Sequence, residues 1–128
     1  MPLESQHVVV LGASPKPERY AYQAVQLLLN YGHYVYPVHP KINTILEQAC
    51  YKNLASVKKK VNKPIGTLTL YVGTARLDGL IDDILALAPQ RIICNPGTEH
   101  PNLTEQASKQ GIDIFDACTL VMLKTNQF

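Results

Sequence analysis

The sequence predicts an α/β domain: a Rossmann-like, doubly wound parallel sheet of about five strands, with helices on both faces in three α/β/α layers. Three observations carry this. Val8-Val9-Val10-Leu11 is an unbroken apolar run, as expected of a strand buried on both faces rather than one with a wet side. Segments of strand character then alternate with segments of helical apolar spacing to the end of the chain. No internal repeat and no linker rich in Pro, Gly or Ser divides it, so residues 1–128 are read as one domain. The expected strand order is 3-2-1-4-5, with ligand loops at the carboxyl edge where the order reverses.

Gly12 stops the first strand, and Ser14, Pro15 and Pro17 favour a turn and then a helix start. From Ala21, the positions Ala24, Val25, Leu28 and Leu29 recur at helical spacing, and Gly32 suits the left-handed residue past the C-terminus. Tyr34–Val38 is the second strand. Between Ile42 and Lys63 the pattern weakens: Ile45-Leu46 packs briefly, a turn runs through Tyr51 to Asn53, and Leu54–Lys60 is a short helix. Its three terminal lysines suit the helix dipole and form a solvated face. Thr67–Val72 is a β-prone third strand. Leu77, Leu80, Ile81, Ile84, Leu85 and Ala88 mark one face of a single helix from about Ala75 to Ala88. Asp78 falls in its first turn, and Asp82 and Asp83 on its polar side. Beyond Pro89 come a fourth strand (Arg91–Cys94), a loop (Asn95–Glu99), a helix (Asn102–Gln110) and an edge-like fifth strand (Ile112–Phe115). Asp116 or Thr119 is expected to cap the closing helix.

Composition narrows the function classes. Hydrophobic content is 46% and charged content 17%, which excludes a disordered chain. A net charge of +2 is too mild to argue for nucleic acid. No apolar run approaches a membrane span, and the first residues lack signal-peptide character. Three cysteines, Cys50, Cys94 and Cys118, include no C-x-x-C pair, so the expected setting is the reducing cytoplasm. His7, His33, His39 and His100 show no metal-ligand spacing, and no Ser/His/Asp constellation is suggested. Neither a metal nor catalysis is expected.

The strand–loop–helix start at Gly12, Ala13 and Ser14 offers backbone N–H groups to an anion. A dinucleotide fingerprint wants three glycines and an acidic residue at the end of the second strand. This loop has one glycine, and the second strand ends in Val38-His39-Pro40-Lys41. A carboxylate there would repel a phosphorylated ribose, whereas Lys41, with His39 beside it, attracts one. The residues thus point to an adenine nucleotide with a pyrophosphate and an extra ribose phosphate: coenzyme A or NADP. Lys16 and Arg19 add charge, Arg19 through a planar fork that matches phosphate oxygens.

Three motifs in order, G-A-S-P-K-P-E-R-Y at 12–20, G-H-Y-V-Y-P-V-H-P-K at 32–41 and N-P-G-T-E at 95–99, resemble the small stand-alone CoA-binding proteins. Those are Rossmann-like domains similar to the CoA-binding domain of the succinyl-CoA synthetase α subunit. The resemblance runs from Val8 to the C-T-L-V-M-L ending, with His39 where the family more often has Asn. It implies coenzyme A or an acyl-CoA as ligand. The pyrophosphate would lie over Gly12, Ala13 and Ser14 beside Lys16, Arg19 and Tyr20. Adenosine would lie on Val38 and Pro40, with Lys41 on the ribose phosphate and His39 between them among the binding residues without a set role. The backbone of Tyr71, Val72 and Gly73 would line the nucleotide or arm, and Asn95, Pro96 and Gly97 would border pantetheine, with Glu99 near the thiol.

The reading is non-covalent binding of coenzyme A or an acyl-CoA by a sensor, carrier or accessory module, as a monomer or homodimer. A partner enzyme fits that role; nucleic acid and membrane do not. The alternatives are a small NADP-binding reductase and an interaction module without a ligand. A mixed disulfide of the ligand with Cys94 or Cys118 is the one covalent variant, and Gly12→Val is expected to abolish binding without disturbing the fold.

Overall fold

The computed structural model describes residues 5–128, and its elements alternate as expected. They run β1 (His7–Leu11), α1 (Tyr20–Asn30), β2 (Tyr34–Val38), β3 (Thr44–Ile45), β4 (Gln48–Ala49), α2 (Leu54–Lys60) and β5 (Thr67–Leu70). Then follow α3 (Thr74–Leu77), α4 (Ile81–Leu87), β6 (Arg91–Cys94), α5 (Pro101–Lys109), β7 (Asp113–Asp116) and α6 (Thr119–Lys124). Five strands form one parallel sheet in the order β2-β1-β5-β6-β7.

Alternation along each strand sorts the core into two layers. Val8, Val10 and Ile93 pack with Val25 and Leu28 of α1 and Leu123 of α6 on one face. Val9, Leu11, Leu68, Leu70 and Ile92 pack with α2, α4 and α5 on the other. Val8, Val9 and Val10 are fully buried, which is why the run after His7 is apolar on both sides. α1 ends in a Schellman motif: His33 N–H bonds Leu28 O at 3.0 Å and Gly32 N–H bonds Leu29 O at 3.0 Å, with Gly32 at φ +87.

From β1 the chain moves out to β2 and then returns to β5 on the other side, the reversal on which the 3-2-1-4-5 pattern rests. The place outside β2 is held by one parallel bridge, Val38 to Tyr51. Tyr51 N–H reaches Pro37 O, and His39 N–H reaches Tyr51 O, both at 2.9 Å. Tyr51 stands there as one isolated bridge, and Thr67–Leu70, counted third from the sequence, lies beside β1. Residues 42–50 supply no full strand because they pair with themselves, Thr44 with Ala49 and Ile45 with Gln48.

Two helix expectations are corrected. The single helix over 75–88 is two helices, α3 and α4, because Gly79 is a poor helix former and Asp78 is held elsewhere. α6 is capped by neither Asp116 nor Thr119. Cys118 is its N-cap, and the Thr119 hydroxyl is 2.8 Å from that of Thr69.

At the amino end of the sheet, Gln6 N–H donates to His33 Nδ1 at 3.0 Å, and Arg91 Nε–H donates to the Thr67 hydroxyl at 2.7 Å. The Arg91 guanidinium lies 4.5 Å over the Phe128 ring. Burial, then the Arg91 cation, lowers the His33 imidazole below its ordinary value.

Candidate functional site

A crevice of about 680 Å³ opens beyond the carboxyl ends of β1, β2 and β5, at the point where the sheet order reverses. The Gly12–Tyr20 loop forms one wall, Val38–Pro40 a second, and Tyr71 and Val72 the floor toward β5. The loops are sewn together: Ala13 N–H donates to Val38 O at 3.2 Å, and Tyr71 N–H to Leu11 O at 2.8 Å. Sequence-distant segments therefore share one site by backbone bonding.

Gly12 has φ +88, a conformation L side chains rarely adopt. A Cβ there would lie 2.7 Å from Tyr71 O and 2.7 Å from Val72 Cγ1. The expectation that Gly12→Val blocks the ligand and spares the fold is thus corrected: the side chain would strike β5's continuation first. Ala13 N–H is spent on Val38, so it is not a free donor. Ser14 Oγ accepts from Lys16 N–H at 3.1 Å, shaping the turn while its own proton stays available to a ligand. Arg19 N–H closes on Lys16 O at 3.0 Å, and α1 starts at Tyr20 with no side-chain cap and no acidic residue in its first turn. Those amide donors and the helix dipole are left to an anion. Tyr20, 70% exposed, stands over the opening.

At the β2 end, Val38 and Pro40 supply apolar wall. His39 turns its ring back on the chain, Nδ1 accepting from Lys41 N–H at 3.0 Å and Ile42 N–H at 3.2 Å. A residue two or three positions upstream accepting from backbone N–H groups is what Asn does in an Asx turn, so the imidazole reproduces an Asn role. Lys41 follows immediately but lies outside the lining. Among the described residues, the cations that line the crevice are Lys16, Arg19, Lys52 and Arg76, and no Asp or Glu accompanies them.

Lys52 and Arg76 were not legible as site residues. Lys52 precedes α2, whose N-cap Asn53 accepts from Ser56 N–H at 2.8 Å and also lines the crevice with Leu54. Arg76 sits on α3 and enters with Leu80. The sequence signal for Lys52 is the Asn53 cap beside it, which fixes where α2 begins. For Arg76 there is none short of the tertiary fold.

The Asn95–Gly97 and Gly73 expectations fare differently. Asn95 is buried and fully engaged: Nδ2 donates to Thr69 Oγ1 at 2.7 Å and Leu70 O at 2.8 Å, and Oδ1 accepts from Thr119 N–H at 2.9 Å. It staples β5 to α6 and does not reach the crevice. Pro96 and Gly97 are exposed on the next loop, where Gly97 N–H is 3.0 Å from Glu99 Oε1, and Gly73 caps α3; none of these lines the crevice. Cys94 is 1% exposed, and burial, with Asp116 and Glu99 adding, pushes its thiol up to about 11. It is a protonated core residue at neutral pH and an unsuitable disulfide partner. Burial also pushes the Tyr71 phenol up to about 12, so it stays neutral beside an anion. Among the described residues no group of three or more His, Cys, Asp or Glu could hold a metal ion, and no helix is long and apolar enough to cross a membrane.

Comparison with known proteins bears on the family and the fold. A family model described as CoA binding domain matches residues 6–124. A solved structure titled only as an uncharacterized protein shares 35% identity, covers 98% of this chain and 100% of its own, and superposes with a TM-score of 0.89. A hypothetical protein from Pyrococcus horikoshii OT3 shares 24% identity over 96% of this chain and 84% of its own, with a TM-score of 0.83. A dinucleotide forming acetyl-coenzyme A synthetase 1 from Ca. Korarchaeum cryptofilum, in complex with phosphate and ADP, shares 22% identity. The match covers 89% of this chain and 26% of the synthetase, with a TM-score of 0.72. The last two show the fold alone. With the family model spanning nearly every described residue, from just before β1 to the end of α6, this chain belongs to the CoA-binding-domain family.

Proposed function

We propose that the protein binds coenzyme A or an acyl-CoA non-covalently in this crevice and serves as a sensor, carrier or accessory module without chemistry of its own. The observation that carries the reading is the lining: among the described residues, four cationic side chains and no carboxylate, with an uncapped helix start beside them. Coenzyme A brings a pyrophosphate and a ribose phosphate, and one mobile surface cation holds a phosphate weakly, so several must converge. In this reading the pyrophosphate lies against Ser14 and the first turn of α1, between Lys16 and Arg19. Adenosine rests on Val38 and Pro40, with His39 holding the turn. The ribose phosphate lies toward Lys52 and Arg76, with Lys41 outside as a longer-range charge. Tyr71 and Val72 line the path of the arm, while Gly73, Asn95, Pro96 and Gly97 lie outside the lining and take no contact in this reading. Free Cys50, Cys94 and Cys118 suit a reducing cytoplasm.

Calorimetric titration with coenzyme A, dephospho-CoA and NADPH tests it. Coenzyme A is expected to bind, with dephospho-CoA at least about tenfold weaker, a difference of roughly 1.4 kcal/mol. Equal affinity for both removes the ribose-phosphate assignment; preference for NADPH replaces the reading with a nicotinamide one.

A further inference from the structure

We propose that Asp78 and His100 form a positioning pair that aims Arg76 into the crevice, so that a contact between α3 and α5 helps set affinity for the ligand's phosphates. The inference rests on the coenzyme A reading for the ligand's identity and on geometry for the rest. α3 is a single turn of four residues whose N-cap, Gly73, has no side chain to anchor it. At about 100° per residue, consecutive side chains on it point three ways. Leu77 is fully buried, Arg76 lines the crevice, and the Asp78 carboxylate meets His100 Nε2 at 2.6 Å.

One apolar anchor fixes the depth of a one-turn helix and leaves its rotation free. A second anchor on the side away from Arg76 removes that freedom. His100 is built to be such an anchor. Its side chain is 9% exposed, and its Nδ1 accepts from Leu103 N–H at 3.1 Å at the head of α5. With Nδ1 accepting, the proton sits on Nε2 and is donated to Asp78. Both ring nitrogens are engaged in hydrogen bonds, one to each element, so the pair acts as a brace. The break after it isolates α3 as a unit: Gly79 N–H bonds Arg76 O at 3.3 Å and Leu80 N–H bonds Leu77 O at 2.9 Å, short-range bonds that end the helix. Asp78 itself is 72% exposed, so a change there spares the core.

The test is a double-mutant cycle read by calorimetry, with coenzyme A and inorganic pyrophosphate as separate probes. Arg76→Gln is expected to weaken binding about fivefold to tenfold, the size of one charge-assisted contact open to solvent. Asp78→Ala is expected to weaken it roughly threefold to fivefold, opposite to simple electrostatics, in which removing a carboxylate near a cationic crevice tightens anion binding. Asp78→Asn keeps an acceptor for His100 and is expected to retain most of the affinity. The double variant Arg76→Gln/Asp78→Ala is expected to bind no more weakly than Arg76→Gln alone. Thermal melting of each variant separates loss of fold from loss of aim. Tighter binding by Asp78→Ala, or losses that add in the double variant, overturns the proposal. Binding of pyrophosphate without coenzyme A overturns the ligand reading while the pyrophosphate cycle still decides the brace. A wild-type protein that binds neither probe overturns both.

Discussion

Gly12 shows how a residue chosen for one reason can be read for another. A single glycine after a buried strand reads as room for a phosphate, and the crevice does open beside it. Its φ of +88 and the 2.7 Å approach of an added Cβ to Tyr71 O give a stricter reason: the loop must cross the end of β5 at a distance only glycine allows. Gly12→Ala is therefore expected to lower stability by roughly 2–4 kcal/mol, combining left-handed strain with overpacking. Denaturant unfolding checks this; a variant as stable as wild type shows that the loop relaxes freely. His39 and Asn95 make the same point from opposite directions. His39 accepts from two backbone N–H groups downstream, the task of an Asn in an Asx turn, and Asn95 has a ligand-like place in the sequence but spends its whole amide inside the fold.

Among the elements, β2 and β6 were legible to the residue and β1 to within one, because apolar runs with Gly or Pro close by leave little choice of register. The α3–α4 division was not, since Leu77, Leu80, Ile81 and Ile84 keep helical spacing straight through the break, and a lone Gly79 does not by itself end a helix without the tie from Asp78 to His100. The cationic half of the site was half legible for a similar reason. Lys16 and Arg19 lie in the motif loop itself, whereas Lys52 and Arg76 arrive from separate elements. α2 allows a sharp test, because its cap Asn53 also lines the crevice. Asn53→Asp keeps a good N-cap and suits the helix dipole, so melting should change little. In the coenzyme A reading the new carboxylate stands in the lining near the phosphates, and affinity for coenzyme A should fall by about tenfold, a difference of roughly 1.4 kcal/mol. Unchanged affinity places the phosphates away from α2.

At the scale of the whole molecule, the two ends of the sheet do different work. The carboxyl end gathers cations around open space, while the amino end buries His33 beside Arg91 and Phe128. Because burial and Arg91 lower the His33 value below the ordinary 6.5, the unfolded chain binds a proton that the folded one refuses. Its contribution to stability is full above pH 6.5 and is lost as pH falls through that value toward the lowered one. His33→Asn can still accept from Gln6 N–H and does not titrate, so its melting temperature should fall less between pH 7 and pH 5 than that of wild type. Identical pH slopes place the acid sensitivity elsewhere. The central claim, that coenzyme A occupies the crevice where the sheet order reverses, is tested most directly by backbone amide NMR during titration with coenzyme A. Shifts are predicted in residues 12–21, 38–42, 52–54, 71–72 and 76–80. Shifts confined to the groove between α4 and α5, around Leu85 and Asn102–Gln110, would contradict it.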